Sequence, residues 1–305
     1  MTLMAFQGSV EMGLIFAIMA LGVFISFRTL NVPDLTVDGS FVLGAAVSVM
    51  VCISGYPFIG LLLAFIAGCG AGCITSFLNT KLKIQPILAG ILTQLALYSV
   101  NLRIMDNKAN VSLLNQQTIF TVFENTVMEK YAGLMISFLF VVFILAALFL
   151  FLITKVGFAL RATGDNENMV RAQGINTDYT KLLGLALSNG LVAVSGGVYA
   201  QYQSFADISM GVGMVVIALA SVIVGEVIFG TSTLLRKLTA VILGSILYRV
   251  IIAFALGLGM PPTDLKLVSA VIVAIALSIT TIKEKVLSIR KRRIAGKGGQ
   301  VGAER

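Results

Sequence analysis

Residues 161–176 read RATGDNENMVRAQGIN, a polar, helix-forming stretch in the middle of a chain that is otherwise almost continuously apolar. The 305 residues are 58% hydrophobic and only 12% charged, with a mean hydropathy of +0.98. A water-soluble core of this size does not need so much apolar surface. Apolar runs of roughly 15 to 23 residues recur on both sides of the stretch, and about 20 helical residues cross the hydrocarbon of a bilayer. The predicted fold class is therefore an all-α polytopic membrane protein, because a β-barrel would show segments of about ten residues with alternating polarity.

Nine transmembrane helices are predicted from the apolar runs, at 10–27, 41–53, 57–78, 86–102, 132–154, 182–203, 211–226, 238–256 and 267–282. Nine spans place the two termini on opposite sides. Seventeen of the 22 lysines and arginines then fall on the side of the basic tail 283–305, four on the other side, and Arg249 within a span. Because cytoplasmic loops are rich in basic residues, the N-terminus is predicted outside and the C-terminus inside. The net charge of +8 thus indicates contact with the lipid bilayer and not with nucleic acid.

A second polar stretch, residues 31–40 (NVPDLTVDGS), precedes a span that is too short to cross unaided. It is either an ordinary polar loop or non-helical backbone that enters the membrane, which is tolerated only where protein or a wet cavity surrounds it. An internal echo favours the second reading, because residues 33–49 resemble residues 206–222 with Asp34 over Asp207. The two copies lie toward opposite sides of the membrane, so the halves are predicted to be inverted repeats. Interrupted segments in matching positions of two repeats indicate a translocation path.

The candidate path residues are polar groups of these two segments, although any of them could instead cap the short helix that follows. An acid close to hydrocarbon usually faces a cavity or a partner. The predicted path consists of Asn31, Asp34, Thr36, Asp38, Ser40, Asp207 and Ser209.

The polar stretch at 161–176 is predicted to contain a helix of about two turns on the cytoplasmic side. Asp165 or Asn166 can cap it, Glu167 favours its start, and Arg171 favours its last turn. Gly174 provides a left-handed exit. So short a helix is marginal alone, so the stretch is either an ordinary loop or a docking element for a soluble partner, with apolar contacts from Met169, Val170 and Ala172. The candidate docking residues are Arg161, Asp165, Asn166, Glu167, Met169, Val170, Arg171 and Gly174.

The run from Leu160 to Lys181, followed by the small-residue span ALSNGLVAVSGGV at 186–198, resembles the permease subunits of ATP-binding-cassette (ABC) importers of the branched-chain amino-acid type. The resemblance implies one type II-like transmembrane permease domain, 1–305, in which residues 155–181 form a cytoplasmic coupling-helix insert. It further implies a homodimer in the bacterial cytoplasmic membrane, an ABC ATPase subunit docked on the insert, and an extracytoplasmic solute-binding protein. Residues 30–45 are similar to a subgroup proposed to carry tryptophan or tyrosine. Asp34 and Asp38 depart from the branched-chain permeases, whose substrate is therefore not carried over.

The chain is expected to import a small solute, an amino acid, without being an enzyme itself. It contains no phosphate loop of the form GxxxxGK[ST], so ATP and Mg would be used by the partner subunit, and no cofactor is expected in this chain. The alternative is a secondary transporter driven by an ion gradient, in which the capped insert would have no function. An intramembrane enzyme is disfavoured because the chain has no histidine and no paired catalytic motif.

Three further predictions concern packing and partners. Arg249 needs an anion or water inside its span, with Glu226 as a possible mate, and a structural ion pair is favoured over solute binding. The segment from Arg103 to Tyr131 is either a contact for the binding protein or a protective loop. Small residues are expected to pack helices closely without a further function, namely Gly68, Gly70, Gly72, Gly196 and Gly197, with Cys52, Cys69 and Cys73 as packing residues.

Overall fold

The computed structural model describes residues 3–121 and 129–261, together with 264, 267–271, 274 and 278, and gives no side-chain placement for 3, 129 and 130. Nearly all of this part of the chain is helical, and only two short strands interrupt it. The elements are α1 (Leu3–Val23), which continues as a π-helical turn (Phe24–Thr29), α2 (Thr36–Ile53), α3 (Pro57–Thr80), α4 (Pro86–Ile104), β1 (Asn110–Ser112), α5 (Glu129–Leu152), α6 (Lys155–Asp165), α7 (Glu167–Ala172), α8 (Thr177–Gln203), β2 (Phe205–Asp207), α9 (Met214–Phe229) and α10 (Leu234–Gly257).

Seven of the described helices are long and apolar enough to cross a membrane, and α9 is apolar but only 16 residues long. They correspond to the first eight predicted spans, from 10–27 to 238–256. The ninth predicted span, 267–282, and the basic tail 283–305 lie mostly or wholly outside the described residues. The chain is therefore a multi-pass membrane protein, as the sequence predicted.

One end of the bundle, which we call the basic end, carries Arg28, Lys81, Lys83 and Lys237. At the basic end, Arg28 after α1 forms an ion pair with Glu226 near the end of α9 at 2.6 Å, and Lys81 after α3 approaches Asp178 of α8 at 3.6 Å. At the opposite end, β1 pairs with β2 in antiparallel register, with Val111 facing Ala206. The loops at the basic end are those predicted to be cytoplasmic.

Helix α8 lies at the centre of the bundle and packs against α1, α2 and α3. Small residues allow this, because a Cβ added at Gly68 or Gly72 would collide with the backbone of α8, and one at Gly196 would collide with the carbonyl of Phe41. The expectation of close packing is confirmed at these positions and at Gly197, where an added Cβ would lie 3.0 Å from Ser48. It is wrong for Gly70, which faces open space among the described residues.

Helices α2 and α9 begin inside the bundle and not at its surface. The hydroxyls of Thr36 and Thr75 lie 2.8 Å apart, and Thr75 lies five residues before the end of α3, which is about 7 Å along a helix. The preceding residues 31–35 are non-helical, so this chain enters the bundle from the basic end, as the sequence predicted. Helix α2 starts at Thr36, five residues before the predicted span. From the opposite end, residues 208–213 enter the bundle until Gly211 packs against the backbone of Asp38.

Candidate translocation path and coupling segment

A buried carboxylate fixes the start of α2. Asp34 is fully buried, and its Oδ1 accepts a hydrogen bond from the backbone amide of Thr36 at 2.9 Å. Its Oδ2 accepts one from Nδ2 of Asn189 at 2.7 Å, and Oδ1 of Asn189 accepts one from the hydroxyl of Ser40 at 2.7 Å. Buried polar groups are costly unless such partners are present. Asp34 and Ser40 are thus joined through α8 and do not face open water.

Hydroxyl groups continue this network across α3 and α4. The hydroxyl of Thr36 meets that of Thr75, which donates to the hydroxyl of Thr93 at 3.0 Å. All three side chains are buried. Interhelical hydrogen bonds of this kind hold helices together within a bilayer, so Thr36 has a structural role at this position.

Asp38 caps the helix of the other repeat. Its two carboxylate oxygens accept hydrogen bonds from the backbone amides of Gly213 at 3.0 Å and Val215 at 2.8 Å. These amides lie at the start of α9, where helical N–H groups have no intrahelical partner and a negative charge is favourable. Helices α2 and α9 therefore meet at Asp38.

Asp207 forms the same local turn as Asp34, at the opposite end of the bundle. Its Oδ1 accepts a hydrogen bond from the backbone amide of Ser209 at 2.8 Å, and the Ser209 hydroxyl donates to the same atom. The hydrogen bond from the Ser209 side chain, opposed by partial burial and assisted by the Ser209 amide and Asn110, holds the pKa of Asp207 below its usual value. The equivalence of Asp34 and Asp207 is confirmed in their turns and in their opposite locations, as inverted repeats require.

A cleft of about 260 Å³ brings residues of the two predicted segments together between α4 and residues 208–212. We call it the α4 cleft. Asp38 and Ser209 line it, and Leu95 and Tyr98 are 65% and 54% exposed at its rim. The cleft therefore opens on the outer surface of the described bundle. Its polar lining residues are Asp38, Gln94, Tyr98, Asn101 and Ser209.

The other predicted path residues do not line this cleft. Asn31 is exposed at the basic end with a left-handed φ of 55°, while Asp34, Thr36 and Ser40 are buried behind the cleft and Asp207 lies beyond its far end. The prediction missed the α4 residues. Their spacing could have revealed them, because Gln94, Tyr98 and Asn101 follow the i, i+4, i+7 pattern of one helix face.

The predicted coupling segment, residues 155–181, contains the predicted short helix, which is α7. Oδ1 of Asn166 accepts a hydrogen bond from the backbone amide of Met169 at 3.1 Å and caps it, and Gly174 leaves it with a φ of 81°. Asp165 is not the cap, because it ends the preceding helix α6, which was not predicted separately. The sequence thus located the helix and its two boundaries correctly.

A cluster of charged residues holds α7 against the start of α8. The Glu167 carboxylate lies 2.7 Å from Nζ of Lys181 and 2.9 Å from a guanidinium nitrogen of Arg171. Nε of Arg171 donates to the hydroxyl of Thr177 at 2.6 Å, and Nη2 of Arg171 lies 3.3 Å from Asp178. We call these five residues the α7 clamp. Partial burial opposes the charge of Glu167, but Lys181, Arg171 and Thr177 outweigh it, so the pKa of Glu167 lies below its usual value.

The predicted docking residues differ in exposure. Met169 is 47% exposed, and Ala172 is also exposed. Val170 is fully buried, so it cannot offer apolar surface to a partner as predicted, because its side chain anchors α7 to the protein. Arg161 lies on α6, where its guanidinium stacks on Phe158 with 4.4 Å to the ring centre.

The ion pair predicted for Arg249 is wrong. Glu226 pairs with Arg28 at the basic end, and no carboxylate pairs with Arg249 in the described part of the chain. The guanidinium instead stacks on Phe16, 3.8 Å from the ring centre. An aromatic face attracts a cation, and the attraction is larger when the pair is desolvated.

The chain matches the family model of the branched-chain amino acid transport system permease component over residues 6–277. It is 41% identical to a tyrosine transport system permease protein of Clostridioides difficile (strain R20291) over 261 residues, which is 85% of this chain and 86% of the relative. It is 25% identical to the probable branched-chain amino acid transport permease protein LivH of Methanocaldococcus jannaschii, over 73% of this chain and 74% of the relative.

A ribose import permease protein, RbsC of Escherichia coli (strain K12), is 26% identical over 88% of this chain and 83% of the relative. No solved structure matches the chain at a significant level. The family match covers nearly all of the described bundle, including α2, α9 and residues 155–181. The chain belongs to the family of permease components of branched-chain amino acid transport systems.

Proposed function

We propose that this chain is the permease subunit of an ATP-driven importer that carries an amino acid, with an aromatic amino acid such as tyrosine as the leading candidate. The name of the Clostridioides difficile relative supports the solute class. A separate ABC ATPase subunit supplies the energy from ATP and Mg, and a solute-binding protein delivers the amino acid at the opposite end. The basic end lies in the cytoplasm, in keeping with the distribution of lysine and arginine.

The observation that carries this proposal is the position of α8 between the coupling segment and the predicted path. At its start, α8 is bonded to α7 through Lys181, 2.7 Å from Glu167. At its middle, Asn189 is bonded to Asp34 at 2.7 Å and to Ser40 at 2.7 Å. A displacement of α7 by an ATPase therefore reaches the start of α2 through one continuous helix.

A second copy of the chain would complete the path. The α4 cleft is open on the outer surface, with Leu95 and Tyr98 at its rim. Polar residues that face lipid are unfavourable. A second copy related by a two-fold axis would cover Gln94 and Tyr98 and so remove them from the lipid. We propose that the α4 clefts of two copies face one pathway.

Purification of the tagged chain in a mild detergent, followed by reconstitution, tests the function. We expect an ATPase subunit to co-purify in a fixed ratio, and the proteoliposomes to take up tyrosine only with ATP and the binding protein. Uptake driven by an ion gradient without any ATPase would instead identify a secondary transporter. A lack of tyrosine uptake together with ATP-dependent uptake of another solute would refute only the solute assignment.

A further inference from the structure

A polar cavity of about 580 Å³ opens at the basic end, between the end of α1, helix α6 and the connection from α9 to α10. It is separate from the α4 cleft and shares no residue with it. We call it the basic-end cavity. Its charged lining residues are Arg28, Arg161, Asp165, Glu226 and Lys237, and the hydroxyls of Thr231, Ser232 and Thr233 lie at its edge.

The cavity retains a positive charge after its internal ion pair is counted. Arg28 and Glu226 neutralise each other at 2.6 Å. Within the described part of the chain, neither Arg161 nor Lys237 forms an ion pair, and the exposed Asp165 offsets one of these two charges. The remaining charge of one unit suits a singly charged anion.

The guanidinium of Arg161 is held in place and has a donor from which an oxyanion can accept a hydrogen bond. Its Nε is buried and has no hydrogen-bond partner among the described residues, and stacking on Phe158 holds the plane of its guanidinium. A buried donor without a partner is costly. A guanidinium matches the oxygens of a phosphate particularly well.

The surroundings favour a phosphate that carries acyl chains. Phe24 and Leu234 line the cavity beside its polar groups. Phe158, Ile228 and Leu235 are 56%, 55% and 48% exposed, so the mouth of the cavity lies beside apolar surface that fits lipid. Basic pockets between transmembrane helices at the cytoplasmic face bind acidic lipid headgroups.

We propose that the basic-end cavity binds the phosphate ester of an acidic phospholipid, held by Arg161 and Lys237 with hydroxyls of the Thr231–Thr233 turn. The bound phosphate links α6, the first helix of the predicted coupling insert 155–181, to α10. This site does not depend on the transported solute, so it can be tested separately from the proposed function.

Native mass spectrometry of the full-length purified chain tests the proposal. The probes are dioleoyl phosphatidylglycerol, dioleoyl phosphatidylcholine and inorganic phosphate. We compare Arg161→Gln with Lys237→Gln in one double variant against Lys83→Gln with Lys155→Gln, which removes two charges from the same end outside the cavity. Because each basic residue beside an anionic headgroup contributes about a fivefold factor, the first double variant should bind phosphatidylglycerol roughly tenfold or more weakly.

Retention of phosphatidylglycerol by the wild type and the Lys83/Lys155 variant, with loss from the Arg161/Lys237 variant, supports the lipid site. Displacement of the lipid by inorganic phosphate supports the anion site with soluble phosphate as its occupant. Equal loss from both double variants overturns the proposal, because it indicates general attraction to the basic end. Unchanged lipid binding by the Arg161/Lys237 variant also overturns it, since these two residues would then not hold the lipid.

Two further comparisons keep the test decisive if the double variant does not fold. Arg161→Lys with Lys237→Arg preserves both charges and should retain phosphatidylglycerol. Lys237→Gln alone, measured against Lys155→Gln alone, should weaken binding by about fivefold. No difference between these two single variants would refute the proposal.

Discussion

Nδ2 of Asn189 donates a hydrogen bond of 2.7 Å to Oδ2 of Asp34, across 155 positions of the chain. The bond joins the middle of α8 to the non-helical segment just before α2, and both side chains are fully buried. The amide nitrogen of Asn189 donates and the carboxylate of Asp34 accepts, so the hydrogen bond has a defined direction. Exchanging the two residues by mutation would reverse that direction.

Asp34→Asn should lower transport strongly while leaving ATPase association largely intact. The new amide offers one acceptor where the carboxylate offered two. It therefore leaves unpaired either the Thr36 amide or one N–H of the Asn189 side chain, whose nitrogen keeps only its bond to the carbonyl of Leu185, at a cost of about 1–3 kcal/mol. Transport in proteoliposomes and co-purification of the ATPase measure the two effects. Adding Asn189→Asp restores a donor and acceptor pair and should recover part of the transport. Equal loss of both activities, without rescue, would indicate misfolding instead.

Met169→Asp should weaken ATPase association and leave the chain in the membrane. Met169 is 47% exposed on α7 and takes no part in the α7 clamp, so the change introduces a charge into the proposed docking surface without disturbing the clamp. Association is measured by co-purification, and solute-stimulated ATP hydrolysis is measured on the recovered complex. Tyr56→Asp, at the opposite end and 60% exposed, is the control. Full ATPase association in the Met169 variant would remove the docking role of α7.

A charge exchange within the clamp is a less specific test than Met169. Replacing Glu167 by lysine and Arg171 by aspartate keeps the pair opposite in charge. The new lysine at position 167 would also repel Lys181, whose Nζ lies 2.7 Å from the native Glu167 carboxylate. We expect such a variant to release α7 from α8, so that weakened ATPase association would report the position of the helix and not only its surface.

The α7 clamp should weaken in acid. The folded-state pKa of Glu167 lies below its usual value of 4.5, so its contribution to stability is fully present above that usual value. The contribution is lost as the pH falls through the depressed folded value. A spin label at Asn168 should therefore show an unchanged, restricted mobility from neutral to mildly acidic pH and increased mobility in stronger acid. Glu167→Gln should be mobile at neutral pH already, and equal mobility of both proteins at every pH would count against the clamp.

A cysteine at the rim of the α4 cleft should cross-link two copies of the chain. Leu95 is 65% exposed beside the cleft, and Leu139 on α5 is 68% exposed away from it. In a chain with Cys69 and Cys73 replaced by alanine, oxidation of Leu95→Cys in native membranes should yield a disulfide-linked dimer. Leu139→Cys should stay monomeric. The reverse pattern would locate the two-fold interface on α5.

The sequence predicted the spans well because length and hydropathy decide whether a segment can cross a bilayer. Boundaries were less certain where polar residues extend a helix beyond the apolar run. Helix α8 starts at Thr177 and not at 182, because Oδ1 of Asn176 accepts hydrogen bonds from the backbone amides of Asp178 and Tyr179 and caps it. Helix α6 was missed because its sequence mixes apolar and charged residues at the surface.

Only part of the candidate site could be predicted from the sequence. Acids within apolar runs identified both non-helical segments that enter the bundle, but the hydrogen-bond partners of these acids depend on tertiary packing. Nothing in the sequence indicates that Asp38 caps α9, since the bonds reach Gly213 and Val215 across 175 and 177 positions. Arg249 shows the same limit, because a lone cation in a span predicts a partner without indicating that the partner is the ring of Phe16.

Gly196→Ala should destabilise the bundle, whereas Gly70→Ala should not. A Cβ at Gly196 would collide with the backbone carbonyl of Phe41, while one at Gly70 meets nothing within 4 Å among the described residues. Overpacking of this kind costs about 1–3 kcal/mol, and alanine in place of an exposed helical glycine gains up to about 1 kcal/mol. Thermal unfolding in detergent should therefore occur at a lower temperature for Gly196→Ala and at an equal or higher temperature for Gly70→Ala. Equal destabilisation by both changes would mean that the contact between α2 and α8 is not the tight one that positions Asp34 and Ser40 against Asn189.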